Sequence, residues 1–191
     1  MTACCSIPET PSESLTGNAR FFGETIIRPA VSADCHRITN LATVAYGRYL
    51  ERMDKKPAPM IEDYAGRIAE GLIFVLEIQS SCPDGEKRDL ESQALFSTSP
   101  AIAGFIMLSP GKDAMLLNNL AVHPAVQGQG YGKKLMAFAE GMACKAGFCR
   151  ISLYTNEVMT ENLRFYHRLG YTETHRATEE GFNRVFFSKN L

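Results

Sequence analysis

Gln127-Gly128-Gln129-Gly130-Tyr131-Gly132 stands between an apolar run closing on Leu120-Ala121-Val122-His123-Pro124 and an amphipathic run opening at Lys133. A strand, a glycine-rich turn and a helix start follow one another there. Glycines at alternate positions let the backbone approach a ligand closely, because no Cβ intervenes and positive φ costs little. The first amides of the following helix lack intrahelical acceptors and lie at the positive end of its dipole. A phosphate group is the natural occupant of such a turn.

Two familiar phosphate turns do not fit. A P-loop requires four residues between its first glycine and Gly-Lys-Ser/Thr. Here Gly132-Lys133 is followed by Lys134, which has no hydroxyl to offer Mg²⁺, and Gly128 stands too close. A dinucleotide fingerprint requires G-x-G-x-x-G in the first βα unit. Counted from Gly130, the third glycine position holds Leu135.

Working outward, Thr25-Ile26-Ile27 reads as a first strand, and Ser32 or Asp34 caps a helix with Ile38, Leu41, Ala42 and Ala45 at helical spacing. Pro57 and Pro59 interrupt the pattern before a second helix over 60–70, which Gly71 stops. Leu72 to Leu76 is a buried strand, and 81–100 is a polar stretch expected to form a long loop. Strands over 101–108 and 114–122 meet at Pro110-Gly111. After the glycine turn, Leu135, Phe138, Ala139 and Met142 share one helix face, closed by Gly147. A strand over 151–154, a helix opened by Thr160 and stopped by Gly170, and two strands meeting at Glu180-Gly181 complete the chain. Residues 1–21 read as a flexible tail, and 22–191 as one domain. Alternating helices and strands in this order predict an α/β (α+β mixed) fold.

The pattern Gln-x-x-Gly-x-Gly after a strand ending in Leu-Ala-Val-x-Pro resembles the GCN5-related N-acetyltransferases, the GNAT family. Glu161-Asn162-Leu163-Arg164-Phe165-Tyr166-His167-Arg168-Leu169-Gly170-Tyr171 is similar to the family's Phe/Leu-Tyr-x-x-x-Gly-Phe/Tyr helix. The resemblance covers 102–171 well and the helical pair before it more weakly. It implies a GNAT fold, a mostly antiparallel twisted mixed sheet of about six or seven strands flanked by about four helices. The implied co-substrate is acetyl-CoA, with no metal. Its pyrophosphate falls to Gln127, Gly128, Gln129, Gly130, Tyr131 and Gly132, with Lys133 near the phosphates. Its pantetheine arm runs along the main chain of Leu120, Ala121 and Val122. An N–H there, Val122's, bonds the thioester carbonyl as charge develops. Tyr166 matches the tyrosine that many members use as general acid. A phenol near pKa ~10 can reprotonate a thiolate whose thiol has pKa about 8.5 if transfer accompanies C–S cleavage. A buried core tyrosine is the competing reading.

Many members carry a glutamate base on the strand before the turn. Here that strand reads Met115-Leu116-Leu117-Asn118-Asn119-Leu120, with amides and no carboxylate. Glu157, Glu77 and His123 are remote candidates, and no base is assigned. Asn162 reads either as a cofactor contact, which the resemblance implies, or as an early-helix amide satisfying free N–H groups, with Asn156 as the other nearby amide and Met159 at the commoner family position. On the acceptor side the helical pair offers Tyr46, Arg48, Tyr49, Pro57 to Met60, Asp63 and Tyr64. Asp63 reads either as an attractor of a cationic amine or as a first-turn acid complementing its helix dipole.

With 191 residues, 45% hydrophobic and 21% charged, the chain has room for a sizeable core. A formal net charge of -1 gives no pull toward nucleic acid or an anionic membrane. No stretch has the roughly 20 apolar residues of a membrane span. The 6 cysteines form no C-x-x-C and read as reduced thiols, so a cytoplasmic protein is expected. The implied activity is acetyl transfer to a primary amine of a small molecule, by direct attack in a ternary complex. The alternatives are a non-catalytic acyl-CoA sensor, a protein or peptide N-acetyltransferase, and transfer of a longer acyl group. A monomer and a homodimer paired through edge strands near Phe186-Phe187 are both compatible with the sequence.

Overall fold

The computed structural model describes residues 24–79 and 100–191. The expected tail over 1–21 lies outside them, as does all but the last residue of the expected 81–100 loop.

Among the described residues, seven strands form one sheet in the order β1-β2-β3-β4-β5-β7-β6. They are β1 (Thr25–Pro29), β2 (Ile73–Ile78), β3 (Ala101–Pro110), β4 (Met115–Val122), β5 (Arg150–Asn156), β6 (Thr172–Glu179) and β7 (Phe182–Asn190). Helices α1 (Cys35–Gly47) and α2 (Tyr64–Ala69) separate β1 from β2. Helix α3 (Tyr131–Lys145) separates β4 from β5, and α4 (Thr160–Arg168) separates β5 from β6. The expected helix over 60–70 is shorter: Pro57 opens a 3-10 turn at Ala58–Met60, and α2 starts only at Tyr64.

β3 sits mid-sheet and is buried at every position from Ala101 to Leu108, as an uninterrupted apolar strand covered on both faces must be. Over one face, Leu135, Met136, Ala139 and Ala143 of α3 pack with Leu76, Ile106, Leu117 and Ile151. Over the other, Ile38, Leu41, Ala42 and Ala45 of α1 pack with Ile73, Val75, Phe105 and Met107. The helical spacing read from the sequence thus becomes two apolar layers sandwiching the sheet.

The C-terminal pairing departs from the sequence reading. β7 lies between β5 and β6, so Phe186-Phe187 is inside the sheet and Thr172–Glu179 forms that edge. Phe187 is buried because its ring closes the layer beneath α4.

All neighbouring strands are antiparallel except β4 and β5. That parallel pairing spans only Met115–Leu117 against Ile151–Leu153. On the β3 side, Met107 faces Asn119 while Leu108 faces Leu117, so Asn118 is the extra residue of a bulge. A bulge bends its strand and raises local twist. From Asn118 onward β4 leaves β5, and the sheet opens.

Candidate functional site

The opening between β4 and β5 exposes a specific set of main-chain groups. His123 N–H donates to Ala103 O at 2.8 Å, which fixes Ala121 and Asn119 as the residues whose main chain faces β3. Leu120 and Val122 therefore turn their N–H and C=O groups toward the opening. Their carbonyls are already engaged: Tyr46 Oη donates to Leu120 O at 3.1 Å and Gln127 Nε2 to Val122 O at 2.9 Å. What they present to a ligand is their N–H groups. Ala121, by contrast, has its main chain committed to β3 and its side chain in the core.

The glycine turn lies at the end of this strand. Gly128 and Gly130 have φ of +78° and +89°, and a Cβ built at either meets nothing within 4 Å. The backbone there borders open space. Lys134 N–H makes the first bond of α3, to Gly130 O at 3.1 Å. No acceptor among the described residues reaches the six amides from Gly128 to Lys133. Gln127 differs, since its own N–H donates to Pro124 O at 3.1 Å and its side chain ties the turn back to β4. Gly132 has ordinary helical φ, and its missing side chain makes room for Phe165, whose Cζ would lie 3.2 Å from a Cβ. Tyr131 sends its ring into the core, leaving only its amide on the turn side.

These groups line a groove of about 580 Å³, in the size range of small-molecule sites. Lys133 borders it, joined by two cations that the sequence reading did not bring there, Arg48 from beyond α1 and Arg168 from the end of α4. Arg48 stacks on Tyr49, with its guanidinium carbon 4.8 Å from the ring centre, and donates to Tyr49 Oη at 2.6 Å. Six free amides and three cations make the groove suited to a multiply charged anion such as a diphosphate.

A second cavity of about 300 Å³ lies across the opening. Leu117 to Leu120 form its floor. Pro57, Pro59, Glu62 and Arg67 form one wall, and Tyr154, Phe182 and Arg184 the other. Arg184 stacks on Tyr154 at 4.3 Å and pairs with Glu179 and Glu180 of the β6–β7 turn. Lys55 Nζ donates to Glu180 O at 3.2 Å, so the turn is fastened across the outer rim of the cavity.

Tyr46, Leu120 and Asn162 line both cavities. Tyr166 lines the smaller one beside them and is only 6% exposed. Its ring packs against Phe165, Tyr171 and Phe187. Its hydroxyl has no hydrogen-bond partner among the described residues, yet no fully buried side-chain oxygen or nitrogen among them lacks one. The hydroxyl therefore opens onto the cavity. Burial, with a smaller contribution from Tyr49, raises its pKa well above 10, so it keeps its proton at any physiological pH.

The remaining candidates separate clearly. Asn162 Nδ2 donates to Thr155 Oγ1 at 3.3 Å, at the meeting point of the cavities, while Met159 is buried beneath it. Asn156 also lines the smaller cavity, its side-chain oxygen accepting from Val158 N–H. Asp63 caps α2 by accepting from Gly66 N–H at 3.1 Å, the helix-terminus role. Glu77 is bound by Arg28 beside Asp34, Glu157 accepts from Asn183, and His123 Nδ1 accepts from Ala125 N–H. None of these three lines the smaller cavity. The carboxylate that does is Glu62, which the sequence did not single out, and Arg67 holds it at 2.9 Å.

Residues 94–173 match a family model described as an acetyltransferase (GNAT) domain. No curated protein sequence matches the chain significantly. Among solved structures, the PaiA N-acetyltransferase of Thermoplasma acidophilum in complex with coenzyme A superposes with a TM-score of 0.65 at 16% identity, over 88% of this chain and 99% of that one. A GNAT-family acetyltransferase of Listeria monocytogenes gives 0.63 at 18%, over 91% and 99%. The NatC complex bound to Gag peptide and CoA gives 0.59 at 14%, over 88% and 99%. At these identities the likeness is one of fold. The family model spans the opened β4, the glycine turn and the Tyr166 helix, and the sheet and helix arrangement is shared with those structures, so the chain has the fold of the GNAT acetyltransferases.

Proposed function

We propose that the protein transfers an acetyl group from acetyl-CoA to the primary amine of a small molecule, by direct attack in a ternary complex. The observation that carries this reading is the meeting of two cavities at the open end of β4, one rich in free amides and cations, the other small and bordered by the Tyr166 hydroxyl. In this reading the diphosphate sits on the amides of Gly128 to Lys133, with Arg48, Lys133 and Arg168 as counter-charges. The pantetheine arm lies against Leu120 and Val122, and the Val122 N–H bonds the thioester carbonyl oxygen. The amine nitrogen attacks the carbonyl carbon from the smaller cavity. As the C–S bond breaks, Tyr166 donates its proton to the sulfur, and the proton released by the attacking nitrogen returns through water to the phenolate. Because burial disfavours that phenolate, the transfer to sulfur accompanies cleavage rather than preceding it.

No carboxylate among the residues lining the acceptor cavity is free to act as base, since Glu62 is held by Arg67. An alkyl amine of pKa ~10.4 is neutral in only about one molecule in 2,500 at pH 7. Water takes its proton, and the rate follows that neutral fraction.

A cavity of about 300 Å³ favours a small acceptor over a peptide. The deciding experiment is a panel of primary amines with thiol release detected, beside acetyl-CoA alone. Amine-dependent thiol release supports the reading. Acetyl-CoA binding without release for any amine would instead indicate a sensor, and release with N-terminal peptides alone a peptide acetyltransferase.

A further inference from the structure

One hydrogen-bond chain in the acceptor cavity has a direction that its own atoms impose. It ends at Pro59 O, a main-chain carbonyl that can only accept. Tyr64 Oη donates to it at 2.6 Å. A phenol has one proton, so the Tyr64 oxygen is left to accept, and it accepts from Asn119 Nδ2 at 3.0 Å. That fixes the Asn119 amide with Oδ1 toward Tyr46, whose hydroxyl donates to it at 2.7 Å. The opposite polarity fails, because Tyr64 would need a second proton to serve both Pro59 O and an asparagine oxygen. The Tyr46 proton is thus committed to Asn119 and, more weakly, to Leu120 O at 3.1 Å. Only lone pairs remain on its oxygen, and among the described residues no donor reaches them. Tyr46 lines both cavities, beside the Leu120 edge.

We propose that the Tyr46 oxygen accepts a hydrogen bond from an N–H of the acceptor amine, and that Asn119 and Tyr64 are positioning residues that keep it an acceptor. The assignment rests on the acetyltransferase reading above. An amine held this way points one N–H at Tyr46 and keeps its nitrogen lone pair free for the thioester carbon. Tyr46 takes no proton in the step. It orients a nucleophile.

The test compares wild type, Tyr46→Phe and Tyr64→Phe, each variant losing one oxygen and keeping its ring. The probe is whichever of ethylamine, benzylamine, tyramine and lysine the wild type acetylates fastest. Tyr46→Phe is expected to lower kcat/KM for the amine about 10- to 100-fold, mostly through KM, as loss of one hydrogen bond to the substrate does. Tyr64 lines neither cavity, so the acetyl-CoA affinity of Tyr64→Phe by calorimetry should stay within about threefold of wild type. Tyr64→Phe, which lets the Asn119 amide turn over, should lower the same kcat/KM about 3- to 10-fold. If Tyr46→Phe does not fold, Tyr64→Phe decides alone. An unchanged amine kcat/KM in the folded variant overturns the inference while leaving the acetyltransferase reading intact. A wild type that binds no acetyl-CoA in calorimetry, or acetylates none of the four amines, overturns both.

Discussion

Tyr166→Phe should separate activity from stability in a way the structure makes quantitative. The substitution deletes one oxygen and leaves the ring contacts with Phe165, Tyr171 and Phe187, at centroid distances of 5.4, 6.0 and 5.7 Å. No protein group among those described loses a partner, because the hydroxyl has none. Orphaning a buried polar group costs ~1–3 kcal/mol, and that cost is absent here. Unfolding free energy in urea should therefore stay within about 1 kcal/mol of wild type, or Tm within about 4 °C. Turnover depends on the oxygen itself. Loss of a general acid should reduce kcat by about 10²-fold or more, some 2.7 kcal/mol in the barrier, with acetyl-CoA affinity in calorimetry unchanged. Tyr171→Phe is the control. Its hydroxyl donates to Glu140 at 3.2 Å, so that variant should lose about 0.5–1.5 kcal/mol of stability and keep its kcat. Turnover of Tyr166→Phe within threefold of wild type would remove the hydroxyl from the chemistry. A stability loss above about 2 kcal/mol would show that it was bonded after all.

Gly130→Val tests the turn. At φ of +89° a non-glycine residue costs about 1–2 kcal/mol, yet the added carbon meets no protein atom, so the variant should fold and give no acetyl-CoA heat in calorimetry; retained affinity contradicts a diphosphate at this turn. Tyr46, Tyr64, Tyr166 and Tyr171 all have pKa values raised, in each case chiefly by burial. Above about pH 10 the unfolded chain releases these protons while the folded chain holds them, so stability present below that pH is lost as pH rises, at up to ~1.4 kcal/mol per group per pH unit. Urea midpoints at pH 8, 9.5 and 11 measure this, and a flat profile would show the phenols to be solvated. For the rate, kcat/KM should climb with pH up to the pKa of the amine used and shift with it when a less basic amine is substituted. A plateau fixed near neutrality, whatever the amine, would reveal a basic group on the enzyme.

What the sequence made legible was local. The free amides of the turn follow from glycine spacing and helix geometry, and the Glu180-Gly181 reversal carries its own signal, with φ of +54° and +79°, whereas Asp63 has two readings in the sequence and becomes a cap because α2 starts only at Tyr64. Tyr166 was recognisable by its place in a motif, although the vacancy of its hydroxyl was not. What escaped was set by the order of strands. Arg184 reaches the acceptor cavity because β7 inserts beside β5, and the same insertion removes Phe186-Phe187 from the edge. Glu62 and Arg67 meet that cavity only because α2 is shorter and later than its apolar pattern indicated. Arg48 and Tyr49 read as acceptor-side residues from their helix, but the chain past Gly47 turns them toward the groove at the glycine turn. Long-range register of this kind leaves no periodic trace in the residues it brings together.

Because, among the described residues, only Tyr46, Leu120 and Asn162 belong to both cavities, the molecule is divided into two nearly separate inheritances. Substitutions along Pro57–Arg67 or in β7 can redraw the shape and charge offered to an incoming nucleophile without touching a single amide of the glycine turn. In the proposed reading, a lineage or an engineer could therefore exchange one acceptor for another while the groove at the glycine turn stays fixed, provided those three shared residues are left alone.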